Sequence, residues 1–295
     1  MPVTGCWASA SAPARAWHSY SRIPALRDEV VVATALISGL EVYYEVSGTG
    51  APLLFLNGSG STIAEVRGLL RPLAKHFQLL VADYRGMGRT AVPDNGYGMA
   101  DLAGDAVALA DHVGWSSFRL IGISFGGMVA QEVAVTVPER ILRLVLMCTS
   151  SGGAGGASYP LHTLADLAAE DRASMSAQIM DTRFTADWLD AHPADRALVD
   201  DMARRRMNSA PTEAARRGAR LQLEARAGHD VFDRLGRITS PTLVASGRFD
   251  GIAPPANGAA IAAQIPGAVA RIYDGGHAFF LQDPAAIPDA INFLR

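Results

Sequence analysis

Gly122-Ile123-Ser124-Phe125-Gly126-Gly127 follows the apolar run Phe118-Arg119-Leu120-Ile121 and precedes the helix-like run Met128-Val129-Ala130-Gln131-Glu132-Val133-Ala134. A strand that turns straight into a helix through Gly-x-Ser-x-Gly is the nucleophile-elbow pattern, in which a tight turn holds the serine in a strained backbone conformation. Glycine is required at 122 and 126 because a side chain at either position would collide across the turn. The same string, being short and common, also fits a glycine-rich turn that only joins a strand to a helix. The rest of the chain has to separate the two readings.

Around this stretch the pattern is regular. Val31 to Ile37 and Leu40 to Val46 read as strands joined by Ser38-Gly39, and Leu53-Leu54-Phe55-Leu56 as a short buried strand. A helix over 62–75, a strand over 78–82 and a helix over 99–113 lead to the elbow strand, and Leu142 to Met147 is the next strand. The pattern breaks at the Gly/Ser-rich stretch 150–158, after which segments 163–173, 194–207 and 212–225 read as helices with no buried strand among them. A structureless loop of that length is improbable in a compact domain. Alternation resumes with a strand at 242–245, a helix at 256–264, a strand at 268–273 and a helix at 285–294. Strands alternating with helices predict an α/β fold, a mostly parallel, doubly wound sheet of about eight strands. The expected division is a core of residues 33–150 and 237–295, interrupted by a helical cap over 151–236.

With 295 residues the chain is long enough for one large core. A formal charge of −3 gives no reason to expect a nucleic-acid or acidic-membrane partner. Two cysteines cannot form a disulfide framework, which suits a reducing, cytoplasmic setting. The apolar run from Val30 to Leu40 is too short to span a bilayer. Residues 1–32 read as an N-terminal arm: Arg15, Arg22 and Arg27 stand among Ala and Ser as in a transit peptide, without the apolar stretch of a secretory signal. Trp7, Trp17 and Tyr20 leave open that this arm packs on the body.

Parallel sheets carry their chemistry at the carboxyl ends of the strands. There Ser124 is joined by Asp250, in Ser246-Gly247-Arg248-Phe249-Asp250, and by His277, in Gly275-Gly276-His277 after the last strand. A serine needs a base to become a nucleophile at neutral pH, and the imidazole needs a partner that fixes its tautomer. His277 is the histidine in a glycine-flanked loop after a strand, whereas His76 and His112 close helices, His162, His192 and His229 fall in the cap, and His18 lies in the arm. Cys148-Thr149-Ser150-Ser151 offers no carboxylate, and Asp274 suits a turn. In Asn57-Gly58-Ser59-Gly60, the Ser59 N–H is the candidate to form an oxyanion hole with the Phe125 N–H. Ser61 and Thr62 can also cap the next helix. No phosphate-binding loop and no spaced His or Cys cluster occurs, so neither cofactor nor metal is expected. Gly58, Met128, Trp188, Met207 and Phe279 are candidate substrate-pocket residues, and Met and aromatics are as readily plain core. Arg204, Arg205, Arg206, Arg216, Arg217 and Arg220 offer either an arginine clamp for a carboxylate-bearing substrate or a solvated helix face.

The elbow, Asp83-Tyr84-Arg85-Gly86-Met87-Gly88, Pro138-Glu139-Arg140, Gly247-x-x-Asp250 and Gly276-His277-Ala-Phe-Phe together make the chain resemble the α/β-hydrolase superfamily. Within it the chain is similar to the capped esterase and lactonase branch around the 3-oxoadipate enol-lactonases, with cofactor-free haloperoxidase-type enzymes nearby. The resemblance implies a structural turn at 83–88, with Arg85 tying loops together near the site. Many relatives carry His-Gly where this chain has Asn57-Gly58. The expected function is a serine hydrolase that cleaves a small-molecule ester or lactone through an acyl-enzyme, as a monomer or homodimer. C–C bond hydrolysis and perhydrolysis are alternatives for the same triad, and a ligand-binding receptor is the alternative of another class.

Overall fold

The computed structural model describes residues 30–208 and 212–295, without the side chains of residues 165, 169, 170, 202 and 205–208. Residues 1–29 of the expected arm lie outside the described residues. Eight strands form one sheet: β1 (Val31–Ile37), β2 (Leu40–Ser47), β3 (Ala51–Leu56), β4 (Phe77–Ala82), β5 (Phe118–Ile123), β6 (Ile141–Met147), β7 (Thr242–Gly247) and β8 (Val269–Tyr273). Their order is β1-β2-β4-β3-β5-β6-β7-β8. β2 pairs antiparallel with both β1 and β4, and every later pairing is parallel.

Strand periodicity divides the core. Leu54, Leu56, Leu120, Leu144 and Leu146 lie in one cluster, whereas Leu53, Phe55, Ile121, Val145 and Met147 lie in the other. Because successive strand residues point to opposite faces, an unbroken apolar run supplies both at once. The first cluster is closed by α2 (Met99–His112), α3 (Phe125–Thr136) and α8 (Pro255–Gln264). The second is closed by α1 (Ile63–Ala74) and α10 (Ala286–Leu294), with α9 (Phe279–Gln282) beside them. α1 starts at Thr62, whose N–H donates to Glu65 at 2.7 Å.

Between β6 and β7 the described residues form helices and no strand. These are α4 (Ala169–Met180), α5 (Ala186–Ala191), α6 (Pro193–Asn208) and α7 (Glu213–Ala227). The first departs from the expected helix at 163–173. A 3₁₀ turn covers Leu161–Asp166, Leu167 is extended, and α4 then runs to Met180. Pro160 explains the break, since its carbonyl accepts from both the N–H and the hydroxyl of Thr163 and closes a local turn. α5 is a single short helix capped by Thr185, in a stretch to which the sequence reading of three or more helices gave no named segment.

Topology places the candidate residues. The chain passes from β3 outward to β4, then returns to lay β5 on the other side of β3, with Leu56 opposite Gly122. This is the point at which the strand order reverses, and in open α/β sheets it is where ligands bind. The Asn57-Gly58-Ser59 loop and the Ser124 elbow therefore leave the sheet side by side. No helix among the described residues is long and apolar enough to cross a membrane.

Candidate active site

Ser124 sits at φ 54° and ψ −116°, between the end of β5 and the first residue of α3. Few non-glycine residues tolerate this region, and the surrounding contacts hold it there. The Ser124 N–H donates to Met147 O at 2.8 Å on β6, while its carbonyl accepts from Gly127 N at 2.9 Å. A Cβ at Gly122 would strike the Gly126 carbonyl and lie 2.8 Å from Ala130 Cβ, as the sequence suggests. The reason at Gly126 is different. A side chain there would strike the Leu56 and Asn57 carbonyls, so this glycine lets α3 pack against the end of β3.

His277 Nε2 is 2.9 Å from Ser124 Oγ, and its Nδ1 is 2.9 Å from both carboxylate oxygens of Asp250. Asp250 is 3% exposed, and its Oδ1 also accepts the N–H groups of Ile252 and Ala253, each at 2.8 Å. These bonds orient the carboxylate toward the imidazole. An arrangement of this kind sets the proton of His277 on Nδ1 and leaves Nε2 free to accept from the serine.

Two loops are fastened by a segment the sequence did not single out. Ile179 O accepts from Gly251 N at 3.1 Å, Met180 O accepts from His277 N, and Thr182 N donates to Phe249 O at 2.9 Å. The residue after Met180, Asp181, is 1% exposed, paired with Arg183 at 2.7 Å and accepting from Gln282 Nε2 at 3.0 Å. Gln282 Oε1 in turn holds Gly276 N at 2.8 Å. The end of α4 thus carries the loops of both Asp250 and His277.

Phe125 begins α3, where the N–H has no acceptor within the helix. Gly58 lies against Ser124, a Cβ there being 3.9 Å from Ser124 Cβ. The next residue is Ser59, whose buried hydroxyl has no partner.

The family profile for the alpha/beta hydrolase fold matches residues 51–284. The chain belongs to the α/β-hydrolase family. A poly(3-hydroxyalkanoate) depolymerase of Ectopseudomonas oleovorans is 28% identical over 247 residues, covering 83% of this chain and 84% of that protein. A 3-oxoadipate enol-lactonase of Acinetobacter baylyi is 26% identical over 242 residues, covering 81% and 86%. In structure, the enol-lactonase of Burkholderia xenovorans LB400 superposes with a TM-score of 0.72 at 24% identity, covering 89% of this chain and 99% of that one. That likeness is one of fold.

In this α/β-hydrolase the expected pocket residues separate. Met128 is buried in the first core cluster and Phe279 in the second, where its ring stacks on Tyr273 at 5.1 Å, so both serve as core. Trp188 stacks on His192 at 3.8 Å and donates to Asp195 at 2.8 Å, which ties α5 to α6. The side chain of Met207 lies outside the described residues. Arg85 pairs with Asp105 on α2 and so anchors the 83–88 turn to that helix. The turn itself is held by Asp83, whose carboxylate accepts from Ile63 N at 2.8 Å and Arg89 N at 2.9 Å.

Among the described residues, the surface arginines follow the solvated-face alternative. Arg204, Arg216 and Arg220 lie near Asp201, Glu213 and Glu224 on their own helices, with side chains 66%, 57% and 62% exposed. Arg217 donates to the Asp94 carbonyl. The side chains of Arg205 and Arg206 lie outside the described residues.

The inner face of α7 carries what the sequence missed. Gly218 packs on Gly86, whose added Cβ would lie 2.7 Å from Gly218 Cα, and this close approach seats α7 over the strand ends. Gln222, 1% exposed, then accepts from Gly60 N at 2.7 Å. A cavity of about 380 Å³ opens there, lined by Ser59, Gly60, Leu161, Leu164 and Gln222 among others. Arg226, one turn on, is 8% exposed, and burial pushes its guanidinium down to about 10. Helical periodicity marks 222 and 226 as sharing a face, but their overall polarity hides that this face is the buried one. Among the described residues, no group of three or more His, Cys, Asp or Glu side chains is placed to hold a metal ion.

Farther along the same segment, His229 is 8% exposed, and burial lowers its pKa from 6.5 to about 4. The folded protein therefore refuses a proton that the unfolded chain takes up. Stability from this group is complete above pH 6.5 and is lost as pH falls toward 4, a change of about 3 kcal/mol. Urea denaturation of wild type and His229→Asn at neutral pH and at pH 4 checks it: the wild type should lose about 3 kcal/mol more than the variant.

Proposed function

We propose that this α/β-hydrolase cleaves a carboxylic ester or lactone through an acyl-enzyme. The observation that carries the reading is the continuous relay from Ser124 Oγ through His277 to Asp250, every link 2.9 Å long. Ser124 Oγ attacks the carbonyl carbon as its proton passes to His277 Nε2. Asp250 stabilises the imidazolium through Nδ1–H, and the N–H groups of Ser59 and Phe125 hold the carbonyl oxygen as it becomes negative. The proton then goes from Nε2 to the leaving alkoxide, the C–O bond breaks, and the acyl group stays on Ser124. Water, deprotonated by His277, attacks the acyl carbon and returns the serine and a carboxylic acid.

The depolymerase and lactonase names among the relatives support acyl–oxygen cleavage. We assign substrate choice to a cap unit over residues 151–236, with α7 as its active-site face. The low cysteine content supports a cytoplasmic setting. A panel of short esters, lactones and thioesters, with Ser124→Ala as the blank, tests the reading. Turnover by wild type alone is the expected result. Equal rates for the two proteins would refute it.

A further inference from the structure

Gln222 places a buried amide of α7 against a loop of the core. It is 1% exposed, its Oε1 accepts from Gly60 N at 2.7 Å, and its Nε2 has no partner among the described residues. A buried donor left unpaired costs stability, whereas an apolar side chain of similar length carries no such cost. The amide therefore gives the fold little that methionine would not. What only the amide supplies is one acceptor for the 57–60 loop, 162 residues away in the chain.

That loop has no packing to hold it at the same point. Ser61 N donates to Gly58 O at 3.3 Å, which closes a turn over Gly58-Ser59-Gly60-Ser61, and Gly60 takes φ 69°. Apart from its chain neighbours, no described atom comes within 4 Å of a Cβ built on Gly60. A glycine in a turn lets the peptide before it rotate between two orientations, and Gln222 grips that peptide by its N–H. The other end of the turn rests on the elbow, because a Cβ built on Gly58 lies 3.9 Å from Ser124 Cβ. Ser59, the candidate oxyanion donor, is the residue between these two holds. α7 is itself fixed here, since Gly218, one turn before Gln222, packs on Gly86 of the 83–88 turn.

We propose that Gln222 is a positioning residue for the oxyanion loop: by pinning Gly60 it keeps the Ser59 N–H aimed where charge develops on the carbonyl oxygen. This rests on the ester or lactone reading above. A helix between β6 and β7 thereby supports bond breaking without touching the substrate. A preorganised donor is worth about 10²- to 10³-fold in rate, and a donor that must be ordered during the reaction loses part of that. The loss falls on the transition state, because the ester carbonyl is still neutral when the substrate binds.

Steady-state kinetics on p-nitrophenyl butyrate test this in wild type, Gln222→Met and Gln222→Asn. Gln222→Met keeps the length and removes the acceptor. It is expected to lower kcat and kcat/KM alike by about 30-fold, with KM within about twofold and Tm within about 2 °C of wild type. Gln222→Asn keeps the amide but is too short to reach Gly60, and should lose about as much kcat. Inhibition by propyl trifluoromethyl ketone gives an independent readout. Ser124 Oγ bonds to its carbonyl carbon, the serine proton passes to His277 Nε2, and the carbonyl electron pair stays on oxygen as an oxyanion, with no leaving group lost. In Gln222→Met its Ki should rise by the factor by which kcat/KM falls. Wild-type kcat in Gln222→Met, a loss confined to KM, an unchanged ketone Ki, or a Tm lowered by more than about 10 °C would each overturn the proposal and leave the ester reading standing. Equal turnover of the ester by wild type and Ser124→Ala would remove that reading, and the proposal with it.

Discussion

Ser124→Ala is expected to lower kcat by about a millionfold on whichever ester or lactone the wild type turns over best. Only the nucleophile is removed. His277 keeps both Nδ1 contacts with Asp250, and the amides of Ser59 and Phe125 stay where they are, so some activity above the uncatalysed rate should survive. Stability should hardly change. Alanine at φ 54° meets the same Cβ crowding that serine meets there, so the strain is equal in the two proteins. Initial rates at saturating substrate, with thermal unfolding as a control, make the measurement. A fall of less than about tenfold with the fold intact would mean that another group performs the attack.

Asp250→Asn should come next, with a loss in kcat of about ten-thousandfold. The amide oxygen can still accept from Ile252 N and Ala253 N, as Oδ1 does now at 2.8 Å, so the loop keeps its shape. The amide nitrogen would then face His277 Nδ1 and donate to it. A ring that accepts at Nδ1 carries its proton on Nε2, where it cannot take the proton of Ser124. A shift of tautomer with preserved structure is thus the predicted cause, and comparison of kcat with Tm separates it from unfolding. Activity near the wild-type level would show that the carboxylate has no part in orienting the imidazole.

Much of this architecture was legible in the chain. Leu53 to Leu56, Phe118 to Ile121 and Leu142 to Met147 are apolar on both strand faces, and only burial in a covered parallel sheet gives both faces a use. Ser124, Asp250 and His277 were candidates because each lies in a loop at the carboxyl end of a strand, and the fold brings them within hydrogen-bonding distance. The cap was read less well. Its helices bury few side chains, so their ends depend on local turns such as Pro160–Thr163, which no periodicity announces. Trp188, Met128 and Phe279 were candidate pocket residues by size and apolarity, properties that core and pocket share. Arg226 was missed for the opposite reason. An arginine in an arginine-rich helix looks solvated, and its burial follows from the contact of Gly218 with Gly86, a pairing between distant segments. Asp181 was equally hidden, because its importance comes from Gln282 and the loop before His277.

The mechanism requires a covalent intermediate at one oxygen. Intact-protein and peptide mass spectrometry after brief exposure to a fluorophosphonate, and separately after rapid acid quench during ester turnover, reads that directly. A single adduct is expected on the peptide containing Ser124, absent from Ser124→Ala and much slower to form in His277→Ala. An adduct on any other residue, or equal labelling of Ser124→Ala, would contradict it.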